Sequence, residues 1–306
     1  MEEARWPTIA VMGAGAVGCY FGGMLARAGA PVTLIGRREH VEAITRNGLF
    51  LESLHYRGQV AVAAATGLEA ASQAEVVLLS VKTPDTEEAA RSLAPHLASG
   101  AVVVSLQNGV DNAERIRSSA GIDAIPAVVY VGAEMTAPGC VKHTARGDLV
   151  IGDWGDWSER LAAVFERAGV PCRVSTNIAG DLWTKLIINC AYNAMSALGR
   201  TRYGRITRNP WTREVMRQVV EETVAVARAA GVRLPEVDLV EPAWKVGEVM
   251  SGTLSSTAQD MARGKRTEID SLNGYVARRG AELGVATPVN QTLHALVKLL
   301  EEPGPS

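Results

Sequence analysis

Two groups of residues in this 306-residue chain have types and spacings suited to chemistry. The first is Gly13-Ala14-Gly15-Ala16-Val17-Gly18, a glycine pattern whose backbone can cradle a pyrophosphate. Gly13 suits a tight turn, Gly15 lets the main chain approach a phosphate, and Gly18 lets a helix pack closely on a strand. The second is a row of polar residues four apart, Asp181, Lys185, Asn189 and Asn193, in an otherwise apolar stretch. On a helix these residues stack on one face.

The elements around the glycines are the ones such a turn requires. Thr8–Met12 reads as a buried parallel strand and Val17–Ala28 as a helix stopped by Gly29. Chance alone supplies on the order of 0.3 such glycine patterns in a chain of this glycine content, so the strand–turn–helix context carries the weight. The helix N-terminus adds free N–H groups and a partial positive charge, and both favour an anion. A second strand, Pro31–Ile35, ends in Gly36-Arg37-Arg38, with no acid before Glu39. A carboxylate at this point would bind the ribose hydroxyls of NAD, whereas a guanidinium binds a 2′-phosphate. The expected cofactor is therefore NADPH, with Arg37 on its phosphate.

Strand and helix then alternate. Strands are expected at Glu75–Val81 and Ala101–Ser105, and short ones at Ala127–Val131, Leu149–Ile151 and Cys172–Val174, with a helix near Trp157–Ala168. Lys82 and Asn108 follow the first two of these strands. They fall on the carboxyl edge, where open parallel sheets bind ligands. After about Thr176 the strand signals stop. The expected fold is α/β, a Rossmann-type dinucleotide-binding domain over 1–176 with an all-helical domain over 177–306. At about 150 residues per domain, the length agrees with two.

The helix expected over Ile178–Ala197 is apolar nearly all round, so its polar row is expected to be buried. Asp181 could pair with Lys185 while the asparagines bond neighbouring helices, or the row could line a ligand cleft. Unpaired burial costs roughly 1–3 kcal/mol per group, which makes the stripe a poor core and favours the cleft. Further on, Ser255-Ser256 opens a segment, and Lys265–Asp270 leads into a helix expected over Ser271–Leu283. Thr267 and Asp270 read as helix-start residues and Glu268 as part of the same cap. The arginines from Arg200 to Arg217 read as a solvated face paired with Glu214 and Glu221, and Glu301–Ser306 as a frayed tail.

Composition narrows the class. The chain is 47% hydrophobic and 21% charged, with 31 Lys and Arg against 33 Asp and Glu. No bulk positive field draws nucleic acid or an anionic membrane. Neither a signal peptide nor a membrane-length apolar run is read. Cys19, Cys140, Cys172 and Cys190 lack metal or disulfide spacing, so a cytoplasmic enzyme without metal is expected.

The residues together resemble the ketopantoate reductase (2-dehydropantoate 2-reductase) family. GAGAVG at 13–18, SVK at 80–82, QNGV at 107–110, LWTKLIINCAYN at 182–193, SSTAQD at 255–260 and TEIDSLNGY at 267–275 carry the likeness. The resemblance implies NADPH-dependent reduction of a 2-oxo acid, ketopantoate to pantoate, in a cleft between the two domains. It implies Lys185 as general acid and Glu268 as a glutamate interacting with cofactor and catalytic groups. Asn189, Asn193 and Ser256 are implied as substrate ligands, and Asn108 as a residue near nicotinamide and substrate. Two positions depart from the family pattern: Thr253, where an asparagine is frequent, and the bulky Tyr203, near another such asparagine. They leave open reduction of a different 2-oxo acid. A cofactor-binding sensor without turnover is the other alternative, and a homodimer the one protein partner left open.

Overall fold

Four consecutive apolar residues, Ile9–Met12, form the first strand, β1, and all four are buried. Such a run without alternation is what a strand covered on both faces requires. In the computed structural model, which describes residues 5–302, this strand leads to α1 (Ala16–Arg27), β2 (Val32–Ile35), α2 (Arg38–Asn47), β3 (Leu49–Glu52), β4 (Arg57–Val60) and β5 (Ala63–Ala65). The chain continues through β6 (Val76–Leu79), α3 (Thr86–Leu93), β7 (Val102–Ser105), α4 (Asn112–Ala120), β8 (Ala124–Ala137), β9 (Cys140–Gly152), α5 (Asp156–Arg167) and β10 (Cys172–Ser175). These elements form one compact unit ending at Ile178, and a second unit starts at Ala179.

Strands β5-β2-β1-β6-β7-β8 lie side by side in that order, all parallel. Numbered among themselves they read 3-2-1-4-5-6, the doubly wound order of dinucleotide-binding sheets. The order reverses at β1, which pairs with β2 on one side and β6 on the other. A crevice for ligand opens at the carboxyl ends of strands on either side of such a reversal.

The sheet departs from the sequence expectation at its far side. The short strands expected at Ala127–Val131 and Leu149–Ile151 are parts of a long antiparallel hairpin, β8–β9. Three register shifts along it break the apolar alternation, and Gly139, at φ +69°, turns it. Strands β3, β4 and β5 have no counterpart in the sequence reading. β5 is three alanines, a residue with little strand preference, and it is a strand because it pairs with β2.

Behind α1 the hairpin buries His143, whose ring lies 4.3 Å from that of Tyr20. Burial holds the His143 pKa below the ordinary histidine value. The unfolded chain therefore takes up a proton below about pH 6.5 that the folded chain resists. Stability is full above that pH and declines as the pH falls through it. His143→Gln, neutral throughout, is expected to lose less Tm than the wild type between about pH 7.5 and pH 5.5. Equal losses in calorimetry would show that His143 does not contribute.

The second unit contains α6 (Ile178–Leu198), α7 (Tyr203–Arg208), α8 (Pro210–Ala229), α9 (Val240–Val249), α10 (Ser256–Ala262), α11 (Asn273–Leu283) and α12 (Pro288–Glu301), with no strand among the described residues. Its core forms along α6. Tyr192 stacks on Tyr203 at 4.2 Å and donates a hydrogen bond to the Ala243 carbonyl at 2.6 Å. Fully buried Asn273 donates to the Cys190 carbonyl and to Asn290 Oδ1, and Asn290 donates to Glu222. The Glu222 carboxylate also accepts the Val289 and Asn290 N–H groups at the start of α12. This polar line fixes α6, α8, α11 and α12 to one another, because each buried member finds a partner in another helix.

The helix expected from Ser271 begins at Asn273, after a 3₁₀ turn over Ile269–Ser271. Arg217 pairs with Glu214 and Glu221 on the exposed face of α8, as its spacing suggests. Of the tail, Glu301 is not frayed: it ends α12 with its side chain 13% exposed, held by Lys298. Residues 303–306 lie outside the described residues.

Candidate functional site

The glycine turn has the geometry its spelling implies. Gly13 sits at φ +110°, and a Cβ there would fall 2.8 Å from the backbone of Ser80 and Val81. A Cβ on Gly18 would fall 2.2 Å from the Gly13 carbonyl oxygen. Gly15 differs: a Cβ there meets nothing within 4 Å, so its missing side chain leaves room on the outer face of the turn. Gly15 is also the N-cap of α1 and supplies no side-chain cap. The first N–H groups of the helix have no partner within the helix and are available to an anion. The cradle fits a dinucleotide pyrophosphate.

Two residues of this cradle are not singled out by sequence reasoning. Ser80 Oγ donates to the Gly13 carbonyl at 2.9 Å and ties β6 to the turn. Gly36 packs on Ala14, where a Cβ would come within 2.5 Å of the Ala14 Cβ. Their signal is position: each immediately follows a strand at the sheet reversal.

Lys82 and Asn108 occupy the same edge. Leu79 pairs with Ser105 across β6 and β7, and the two residues lie three positions beyond that pair. A buried polar network braces both loops. Thr83 Oγ1 and Asn112 Nδ2 donate to the Asn108 carbonyl at 2.7 and 2.6 Å. Gln107 Nε2 donates to the Thr86 hydroxyl and to the Val81 carbonyl, and Ser105 donates to Gln107 Oε1. Gly109, at φ +101°, completes the turn, so Asn108 is both a turn residue and an edge residue. Sequence reasoning names Asn108 and Lys82 but not Thr83, Thr86, Gln107 or Asn112, whose partners lie in other loops.

Arg37 stands two residues beyond Ile35, which pairs with Met12. Its side chain is 77% exposed, and the Glu39 carboxylate lies 4.0 Å away, outside hydrogen-bond distance.

In the second unit the polar row of α6 is less buried than its apolar setting suggests. Asn193 is buried at 2% exposure, but Asp181, Lys185 and Asn189 are half-buried. The stripe interrupts the apolar surface and reaches the boundary of the unit's core. That is a position suited to a ligand and removes the need for a full set of buried partners. Asn193 Oδ1 accepts from the Ser256 hydroxyl at 3.3 Å and the Thr257 hydroxyl at 3.2 Å, while Nδ2 donates to the Asn189 carbonyl at 3.0 Å. One amide hydrogen remains. Ser256 is exposed and directs its proton to Asn193, so its oxygen remains able to accept. Ser255 caps α10 through the Ala258 N–H and donates to the Asn193 carbonyl. Ser255 and Thr257, neither of them read as a site residue, therefore attach α10 to α6.

Glu268 is half-buried just before the 3₁₀ turn, and its side chain makes no capping bond there. Nor does Asp270 cap: its carboxylate bonds His294 and Lys298 instead. The helix after this segment docks on α6 at two points, Tyr275 edge-on to Trp183 and Asn273 on the Cys190 carbonyl, and these bracket Lys185 in sequence. Tyr203 packs its ring in the core against Tyr192, and its N–H donates to the Thr253 carbonyl. Burial pushes the Cys19 and Cys172 thiols up to about 12, which leaves them unreactive near neutral pH. Among the described residues no group of side chains could hold a metal, and no helix is long and apolar enough to cross a membrane.

A doubly wound sheet with an open glycine cradle at its reversal, followed by a helical unit with a half-open polar row, defines a dinucleotide-binding α/β protein with an added helical domain. The chain belongs to the ketopantoate reductase family: the family described as ketopantoate reductase PanE/ApbA matches residues 9–156, and its C-terminal counterpart matches 177–301. A 2-dehydropantoate 2-reductase of Pyrococcus horikoshii is 34% identical over 300 residues, spanning 97% of this chain and 98% of the relative. The crystal structure of a PanE/ApbA family ketopantoate reductase from Ralstonia eutropha superposes with a TM-score of 0.92 at 52% identity, over 96% of this chain and 98% of that one. D-mandelate dehydrogenase, in a ternary structure with NADH and anilino(oxo)acetate, superposes with a TM-score of 0.90 at 25% identity, over the same shares.

Proposed function

We propose that the protein reduces ketopantoate to pantoate with NADPH, and that Lys185 is the general acid. The observation that carries this reading is the half-open row of Lys185, Asn189 and Asn193 on α6, with Ser256 bonded to its end. The Gly13–Gly18 turn and the first N–H groups of α1 hold the pyrophosphate, Arg37 takes the 2′-phosphate, and Lys82 and Asn108 line the carboxyl edge beside it. When bound, NADPH supplies a hydride to the ketone carbon. Lys185 stabilises the negative charge that develops on the ketone oxygen and delivers its proton there. Asn189, the remaining N–H of Asn193 and the Ser256 oxygen hold the hydroxyl and carboxylate groups without adding charge. Glu268 sets the orientation and charge of Lys185.

The likeness to D-mandelate dehydrogenase favours a second reading, in which the same chemistry acts on another 2-oxo acid. One methylene in an apolar pocket is worth roughly 10- to 200-fold in kcat/KM, so a substrate panel separates the two. Ketopantoate, straight-chain and aryl 2-oxo acids are each assayed with NADPH and NADH. The expected result is the highest kcat/KM for ketopantoate with NADPH. An aryl acid ranking first would move the assignment to the second reading. NADPH binding with no turnover of any acid would make the protein a sensor.

A further inference from the structure

We propose that the C-terminal helix α12 is the positioning arm of Glu268, with His294, Lys298 and Glu301 gripping the residues on either side of it. Their spacing places the three on neighbouring turns along one side of α12. Glu301 Oε1 accepts the Thr267 N–H at 2.8 Å, immediately before Glu268. Glu301 Oε2 accepts from Lys298 Nζ at 2.7 Å, and Lys298 also donates to Asp270 Oδ2 at 3.1 Å, two residues after Glu268. His294 Nε2 lies 2.7 Å from Asp270 Oδ1, and Arg278 donates to the Asp270 carbonyl at 2.9 Å. Gly274 makes the approach possible, since a Cβ there would fall 2.7 Å from the His294 ring.

The grip acts on a segment with little structure of its own. Between α10 and α11 the chain makes only the short 3₁₀ turn over Ile269–Ser271. A glutamate on such a loop must be held within about 0.5 Å to act on a neighbouring charge. Burial alone would raise the Asp270 and Glu301 carboxyls. The hydrogen bonds from His294 and Lys298 to Asp270, and from Lys298 and Thr267 to Glu301, outweigh it and keep both below the usual range. Both carboxylates thus stay ionised near neutral pH, while Leu296, Leu299 and Leu300 of the same helix are exposed.

The proposal rests on the catalytic role given to Glu268 above, and the experiment separates the two. Lys298→Met, Lys298→Arg and Glu268→Gln are compared by steady-state kinetics and by hydrogen exchange of the Thr267–Ser271 amides. Lys298→Met is expected to speed exchange in that segment and to lower kcat by ~10- to 10²-fold, with both KM values within about twofold. Lys298→Arg is expected to restore most of the rate. His294→Asn is the second variant should Lys298→Met fail to fold. Wild-type kcat in Lys298→Met, with Glu268→Gln impaired, overturns the arm, as does unchanged exchange. Wild-type kcat in Glu268→Gln overturns the role on which the arm rests, while exchange still reports whether α12 holds the segment.

Discussion

Lys185→Ala is expected to lower kcat by ~10²-fold or more, with the affinity for NADPH nearly unchanged. Reduction of a ketone places a full negative charge on its oxygen unless a proton arrives, and a positioned acid is worth ~10²- to 10⁴-fold. A 10²-fold loss corresponds to about 2.7 kcal/mol of transition-state stabilisation. The residues assigned to the cofactor lie at the strand ends of the first unit, so removing a side chain from α6 leaves them intact. Lys185→Arg divides the lysine's two tasks. A guanidinium keeps the positive charge but does not release a proton near neutral pH. That variant is therefore expected to recover substrate KM more than kcat. Single-turnover measurement of NADPH oxidation at saturating substrate reads the effect free of product release. A wild-type rate in Lys185→Ala would remove the lysine from the chemistry.

What the sequence reveals about this site depends on how local the encoding is. The strand, turn and first helix from Ile9 to Arg27 are contiguous, and the glycine spacing is a local pattern even though Gly13 packs on Ser80 and Val81 far along the chain. That region is legible residue by residue. The row on α6 is legible for the same reason, since a four-residue spacing is a property of one helix. Its burial is not: the apolar residues around Lys185 and Asn189 suggest a covered helix, whereas packing leaves those two half-buried. Asn193 owes its fixed amide to Ser256 and Thr257, 63 and 64 residues away. Asp270 reads as a helix cap because aspartate at that point of a chain commonly is one. It is drawn away by Lys298, 28 residues on. The three-alanine strand β5 is likewise a product of pairing, with weak propensity of its own, and pairing across three register shifts carries β8 and β9 well beyond the short apolar runs that mark them in the sequence.

Arg37→Asp is the second large effect expected, a change of cofactor preference: kcat/KM with NADPH falls by ~10²-fold while that with NADH holds or rises. A hydrogen bond to a charged group is worth about 1.5–3 kcal/mol, so loss of the guanidinium alone accounts for ~10- to 10²-fold. The carboxylate then adds repulsion toward a 2′-phosphate and offers an acceptor to the ribose hydroxyls of NADH. Arg37 suits this test because its side chain is 77% exposed and Glu39 stands 4.0 Å away, so little else in the protein depends on it. It is also the N-cap of α2 and makes no capping bond. Aspartate is a preferred N-cap, so the variant is expected to be as stable as the wild type or slightly more so, and a fall in NADPH turnover is not unfolding in disguise. Arg38, the first residue of α2, is the control: Arg38→Asp is expected to change the ratio of the two cofactors far less. Salt provides an independent check. Exposed charges are screened over about 8 Å at physiological ionic strength and about 3 Å at 1 M, so a preference for NADPH carried by Arg37 is expected to shrink as salt is added. The Arg37→Asp variant is expected to show no such dependence on salt. An equal fall for both cofactors, or a preference indifferent to salt, would take the 2′-phosphate away from Arg37.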